Sequence, residues 1–288
     1  MQWCYIIIHK GDKIMKKSML KKIFTLAMVG TMSLSLMACG NKEKVDLLSK
    51  IKEEGKLKVG MSVDYAPYEF FIMENGEKKM VGLDIDLISE IAKDLGVEYE
   101  IQEMEFSTIC DATRNGIIDL GVSGLSPDEE RKEIVDFSNI YFKAEQGILI
   151  NKNSADTIKS IDDLKGKKVG AQNGSIQGTI AQGIENADVK LLSEVPTLVQ
   201  DLIAGNLDAV IVELPVADIQ ATVHDELAVA KEKIGDTSGG GSAIALPKGQ
   251  EALLESVNKT LERLESEGKI QEYYKKAIEL SKDEVTAQ

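Results

Sequence analysis

Across 288 residues the chain has only three cysteines, at 4, 39 and 110, and two histidines, at 9 and 224. So few thiols exclude a disulfide-stapled scaffold, and the fold has to rest on its apolar core. His224 is the sole histidine outside the N-terminal segment, so acid–base chemistry would fall to carboxylates. Basic residues are in deficit, 34 Lys and Arg against 48 Asp and Glu, for a net charge of −14. That balance argues against a nucleic-acid binder held by phosphate contacts. There is no G-x-x-x-x-G-K-[ST] phosphate loop, and nothing in the pattern calls for a metal or another cofactor. The long apolar run IFTLAMVGTMSLSLM (23–37) is too short, and too closely followed by polar sequence, for a membrane-spanning helix.

What remains is ordinary for a soluble globular protein of one or two domains, 43% apolar and 28% charged. The basic stretch KKSMLKK (16–22), the apolar run and LMACG (36–40) follow one another as in a secretory signal. Residues 1–38 are therefore expected to be a signal peptide, with 1–14 a possible misplaced start. LMACG resembles the lipobox of bacterial lipoproteins, which implies that Cys39 is lipidated and becomes the new N-terminus. The alternative is an ordinary signal peptide with a cysteine near its cut. Residues 39–55 then form the anchor and a polar tether. Cys110 lies in a helical pattern and reads as a small buried residue.

From residue 57 strand and helix signals alternate. LKVGMSV, VEYEIQEM, IIDLGVSG, KKVGAQ, DVKLLSE and LDAVIVE read as strands, and LDIDLISEIAKDLG, STICDATRNG, SIQGTIAQGIE, TLVQDLIAGN and LPVADIQAT as helices. SAIALPKG and a long amphipathic helical region over 250–280 close the chain. Such alternation predicts α/β architecture, mostly parallel sheets with helices on both faces. The length exceeds one comfortable doubly wound unit, so two lobes are expected. The glycine-rich GDTSGGGS (235–242) is either a loose surface loop or part of a hinge between them.

Ligands of open parallel sheets collect at the carboxyl ends of strands, and three such ends carry polar clusters. In SGLSPDEERKEIVDFS (123–138), Ser126 reads as a helix N-cap with Pro127 at the first helical position and Glu129 at the capping-box position. Arg131 sits in that first turn, where a cation gains nothing from the helix dipole. In VGAQNGSIQG, Gly174 and Ser175 open a helix with exposed amides; in DAVIVELPVADI, Glu213 follows an apolar strand. A guanidinium, free amides and a carboxylate would together suit a zwitterion of the free amino-acid type. Each has a plainer role open to it: Arg131 as the i, i+3 partner of Asp128, Glu213 as a helix-start acid, Gly174-Ser175 as a common way to begin a helix. Tyr65 and Tyr68, around Pro67, form either a platform for a ligand or a packed lid on the sheet.

The segments MSVDYAPYEF (61–70), VGLDIDLISEIAKDLGV (81–97), GIIDLGVSGLSPDEERKEIVDFSNIY (116–141), IDDLKGKKVGAQNGS (161–175), GNLDAVIVELPVA (205–217), SAIALPKG (242–249) and NKTLERLESEGKIQEYY (258–274) resemble the bacterial extracellular solute-binding proteins of family 3, polar amino-acid receptors of ABC importers. The resemblance implies a two-lobed periplasmic-binding-protein-like fold of type II with two hinge crossings: lobe 1 at 56–146 plus 240–288, lobe 2 at 147–239. It implies a monomeric, lipid-anchored receptor on the extracytoplasmic face of the membrane, with a free amino acid as ligand and a membrane permease as partner.

By position, Arg131 looks like the carboxylate-binding arginine, and Ser123, Gly124 and Ser126 like the segment around the ligand head group. Ser175 and Ile176 match the second lobe's helix-start amides, Glu213 the acid that takes the ammonium, and Tyr65 and Phe106 the aromatics that sandwich the side chain. Receptors for basic amino acids often carry an aspartate three residues before that tyrosine; here the position is Ser62, with Asp64 beside Tyr65. The ligand is therefore expected to be basic or neutral polar, with a lean to basic. Two other readings share the lobes: an enzyme of the cyclohexadienyl dehydratase type with Glu213 as general acid, and a sensory binding module.

Overall fold

A computed structural model describes residues 46–235 and 240–283; the segment expected to be a signal peptide, 1–38, and Cys39 lie outside the described residues. A short helix, α1 (Leu47–Glu54), leads into β1 (Lys56–Met61), whose Leu57, Val59 and Met61 are fully buried. The hairpin β2 (Phe70–Glu74) and β3 (Glu77–Val81) turns at Asn75-Gly76, a dipeptide suited to two-residue hairpin turns. Then come α2 (Leu83–Leu95), β4 (Glu98–Glu103), α3 (Ile109–Arg114), β5 (Leu120–Gly121), α4 (Glu129–Ile134) and β6 (Val135–Phe137). The chain goes on through β7 (Gln146–Asn151), β8 (Lys168–Gln172), α5 (Ile176–Gln182), β9 (Asp188–Leu192), α6 (Val195–Ile203), β10 (Ala209–Glu213), α7 (Leu214–Val223) and β11 (Leu227–Val229). It ends with β12 (Ala245–Pro247), α8 (Glu251–Ser266) and α9 (Lys269–Leu280).

Two five-stranded sheets define two lobes, in the orders β4-β1-β5-β12-β6 and β11-β7-β10-β8-β9. Each is mixed. β1 runs parallel to β4 and β5, and β8 runs parallel to β9 and β10. These strands are joined through helices, as parallel pairing requires. The antiparallel pairs, β12 with β5 and β6, and β7 with β10 and β11, involve the strands next to the lobe crossings, where no crossover helix intervenes. The expectation of mostly parallel sheets thus holds for half of the pairings in each lobe.

Two crossings connect the lobes, between β6 and β7 and between β11 and β12. They run side by side: Ser242 N–H donates to Phe142 O at 2.8 Å and Tyr141 N–H to Ser242 O at 2.9 Å. Gly241 (φ 126°) lies so close that a Cβ there would sit 2.2 Å from Phe142 O. Gly241 and Ser242, at the end of the glycine-rich return, thus make a close backbone contact with the other crossing.

α4 begins later than the sequence predicts. Asp128, not Ser126, is its N-cap, accepting the Arg131 N–H at 2.8 Å. The carboxylate supplies the cap, and the Ser126 backbone carbonyl is turned toward the Arg131 guanidinium. The predicted strand at 117–124 shrinks to Leu120–Gly121, leaving the chain after it free to form a loop at the strand end.

Candidate functional site between the lobes

The carboxyl ends of β1, β5, β8 and β10 face one another across the cleft. Arg131 spans it. Its Nη1 donates to Ser126 O and its Nη2 to Gly174 O, each at 2.8 Å, so one guanidinium holds a carbonyl from each lobe. Its Nε lies 3.6 Å from Asp128 Oδ2, and its plane sits over the Phe106 ring with 5.1 Å to the centroid. The side chain is only 11% exposed, which sets this contact apart from a solvated i, i+3 pair.

Six of the residues singled out from the sequence bound one cavity: Tyr65, Phe106, Gly124, Ser126 and Arg131 from the first lobe and Ile176 from the second. Gln172 and Gln177 complete it. Its room for the centre of a water molecule is about 10 Å³, on the order of one water, so the lobes lie shut on each other.

The remaining five surround that cavity without lining it. Ser62 donates its Oγ–H to Asp64 at 2.9 Å and its N–H to Ser123 Oγ at 3.1 Å. Asp64 reaches across the cleft, where Oδ2 accepts the Val195 N–H at the start of α6 (2.9 Å) and the Gln172 Nε2–H (3.3 Å). Burial pushes the Asp64 carboxyl up to about 6, against the pull of these donors. Ser123 donates to Glu69. Ser175 caps α5, accepting the Gly178 N–H at 3.0 Å and donating to Gln172 O at 2.7 Å. Glu213, buried at the end of β10, accepts a hydrogen bond from the Tyr68 hydroxyl, and its own N–H donates to Tyr65 Oη at 3.0 Å.

Tyr65 and Tyr68 stack with centroids 5.7 Å apart and 18° between planes. Tyr65 lines the cavity, and both hydroxyls meet Glu213 of the second lobe. Burial raises both phenols well above their ordinary value, keeping them neutral hydrogen-bonding groups.

Sequence reasoning missed Gln172, Gln177, Glu69 and Asp84. Gln172 was within reach of the strand-end rule, as the last residue of β8. Asp84 carried a different signal, an acid on the apolar face of α2 between the buried Leu83 and Ile85. Among the described residues no cluster of three or more His, Cys, Asp or Glu could hold a metal, and no helix is long and apolar enough to cross a membrane.

Comparison with known proteins settles the ancestry. Residues 57–279 match the model of the bacterial extracellular solute-binding proteins, family 3. The chain belongs to that family. The arginine-binding extracellular protein ArtP of Bacillus subtilis (strain 168) is 34% identical over 265 residues, covering 89% of this chain and 98% of that protein. The L-cystine-binding protein TcyJ of Escherichia coli (strain K12) is 33% identical over 250 residues, with coverage of 85% and 92%. Among solved structures, the amino acid ABC transporter substrate-binding protein AbpA from Streptococcus pneumoniae, bound to L-arginine, superposes with a TM-score of 0.78 at 36% identity, covering 81% of this chain and 98% of that one. These family 3 relatives are binding proteins and not enzymes, and an extracellular family places this member outside the cytoplasm.

Proposed function

We propose that this family 3 protein captures a free polar amino acid, with a lean to basic ones such as arginine, and delivers it to the permease of an ABC importer. The observation that carries the reading is the position of Arg131, a nearly buried guanidinium on the cavity wall with its hydrogen bonds divided between the lobes. As the lobes part, Nη2 leaves the Gly174 carbonyl and becomes available to a ligand carboxylate, for which the planar fork is suited. Glu213 takes the ammonium from the opposite side. Tyr65 and Phe106 hold the side chain, and Ser62, Asp64, Ser123, Gly124, Ser126, Ser175 and Ile176 shape the rest. Re-closure over the ligand presents the form that docks on the permease, because only the closed form makes both sets of contacts.

The lean to basic ligands is supported by the arginine named for ArtP and AbpA; TcyJ, named for cystine, keeps a neutral ligand in play. We place lobe 1 at 56–146 plus 240–288 and lobe 2 at 147–239. The chain acts as a monomer held at the membrane by lipid on Cys39 after loss of residues 1–38. Replacing Cys39 by Ala should release the protein from the membrane fraction.

Isothermal titration of the mature chain with the twenty amino acids tests the function. Saturable binding of arginine or another polar amino acid is expected, and no binding of any at millimolar concentration would refute it. Arg131→Ala should weaken binding by roughly 30-fold or more, as expected when one member of a buried charge pair is truncated. Arg131→Lys should recover only part of it, because an ammonium has no fork.

A further inference from the structure

Beneath the cavity floor lie two carboxyl groups that the binding reading does not use. Glu69 and Asp84 are both fully buried. Glu69 Oε1 accepts the Ser123 Oγ–H at 2.5 Å. Asp84 Oδ2 accepts the Gly124 N–H at 3.0 Å and the Tyr141 hydroxyl at 2.9 Å. The other oxygen of each, Glu69 Oε2 and Asp84 Oδ1, is buried with no donor from any neighbouring group. The two carboxyls are neighbours: Asp84 N–H donates to the carbonyl of Tyr68, the residue before Glu69, at 2.9 Å, and the groups they hold, Ser123 and Gly124, are consecutive. Among the described residues no lysine or arginine forms an ion pair with either. The titratable groups that face the pair are Asp64, Tyr65 and Tyr141, and all are acids.

Two adjacent buried carboxylates without a cation are disfavoured twice, by lost hydration and by mutual repulsion. One proton removes both problems. With Glu69 protonated, its O–H donates to Asp84 Oδ1 and both orphaned oxygens gain a partner. Burial first, and the neighbouring carboxylate second, hold Glu69 well above the usual carboxylate range, in agreement with this assignment.

We propose that Glu69 and Asp84 share a single proton and, as one unit, hold Ser123 and Gly124 in place at the cavity wall. They are positioning residues: Glu69 acts through Ser123, and Asp84 through the Gly124 amide. The consequence for binding rests on the cavity being the amino-acid site, while the shared proton does not depend on that reading.

Glu69→Gln separates the two. Its carboxamide donates N–H to Asp84 and accepts from Ser123, so the geometry is kept with no proton to lose. Denaturant unfolding of both mature chains between pH 5 and 7 counts the proton. The unfolded glutamate is ionised in that range, whereas native Glu69 keeps its proton, so wild-type stability falls as pH rises. The wild-type unfolding constant should grow relative to that of Glu69→Gln by about tenfold per pH unit. Parallel profiles would overturn the shared proton.

The positioning role is read by amide exchange at Gly124 and by arginine titration. Glu69→Gln should match wild type at pH 7 in both, and should keep its affinity at alkaline pH where wild type loses it. Glu69→Ala should speed Gly124 exchange and weaken binding roughly 5- to 150-fold, because Ser123 and Asp84 lose a buried partner. A folded Glu69→Ala chain with wild-type exchange and affinity would overturn the positioning role. If Glu69→Ala does not fold, the alkaline affinity of Glu69→Gln decides: a loss equal to that of wild type refutes it. Absence of amino-acid binding by wild type itself would count against the functional reading and leave proton count and amide exchange to judge the pair.

Discussion

Asp64 is a weaker acid in this protein than on an open surface, and its hydrogen bonds say when that matters. Two of its donors, the Val195 amide and Gln172, belong to the opposite lobe. Separation of the lobes returns the carboxylate to water and toward its ordinary value of 3.8, from about 6 in the closed form. Between those values the closed form holds a proton that the open form has released. Protonation therefore favours closure: affinity should rise as pH falls through 6, by up to about 100-fold near pH 4, with no contribution from Asp64 above pH 7. Titration calorimetry from pH 7.5 to 4.5 checks this, with Asp64→Asn as the variant that removes the Asp64-linked part of the slope. A wild-type profile that rises with pH would refute it. Position alone marked Asp64 as a site candidate; that it ties the lobes together follows from Val195, 131 residues away, and no local pattern shows such a contact.

The β8–α5 turn is the element where sequence and closure meet most tightly. Gly174 has φ +75°, and a Cβ there would lie 2.7 Å from Ser107 Cβ and 2.9 Å from Ser107 Cα, on the opposite lobe. Gly174→Ala should cost the unliganded fold about 1 kcal/mol for the left-handed backbone. Closure should suffer more, since that clash exists only when the lobes meet. Arginine affinity should fall by at least roughly tenfold, and the scattering radius with ligand should stay nearer the open value. Wild-type affinity in this variant would show that the turn does not govern closure. The helices α2, α5 and α6 and the strands β1, β4, β8, β9 and β10 were legible from local pattern, the helices from apolar spacing and the strands from short apolar or alternating runs. α4 was placed two residues early because two capping residues, Ser126 and Asp128, stand close together. Which one caps depends on where the Arg131 side chain goes, and that is a contact with the other lobe.

For the whole molecule, two lobes on two paired crossings make binding and stability one equilibrium. A ligand held by both lobes stabilises the closed form, by about 2.7 kcal/mol at a hundred times its dissociation constant. For a domain of this size that is a rise in melting temperature of roughly 5–10 °C, measurable by calorimetry with arginine and cut to about a third or less in Arg131→Ala at the same concentration. A melting curve indifferent to every amino acid would argue against capture. The sequence alone determined the alternation of strands and helices, the two lobes, the family and most of the residues around the cleft, because each rests on local spacing or on short motifs at strand ends. Only the tertiary structure decided that each sheet is half antiparallel, that Arg131 holds a carbonyl from each lobe, that Tyr68 meets Glu213, and that Glu69 lies against Asp84. Those facts are contacts between groups far apart in the chain, and a long-range contact leaves no local period or motif by which it can be read.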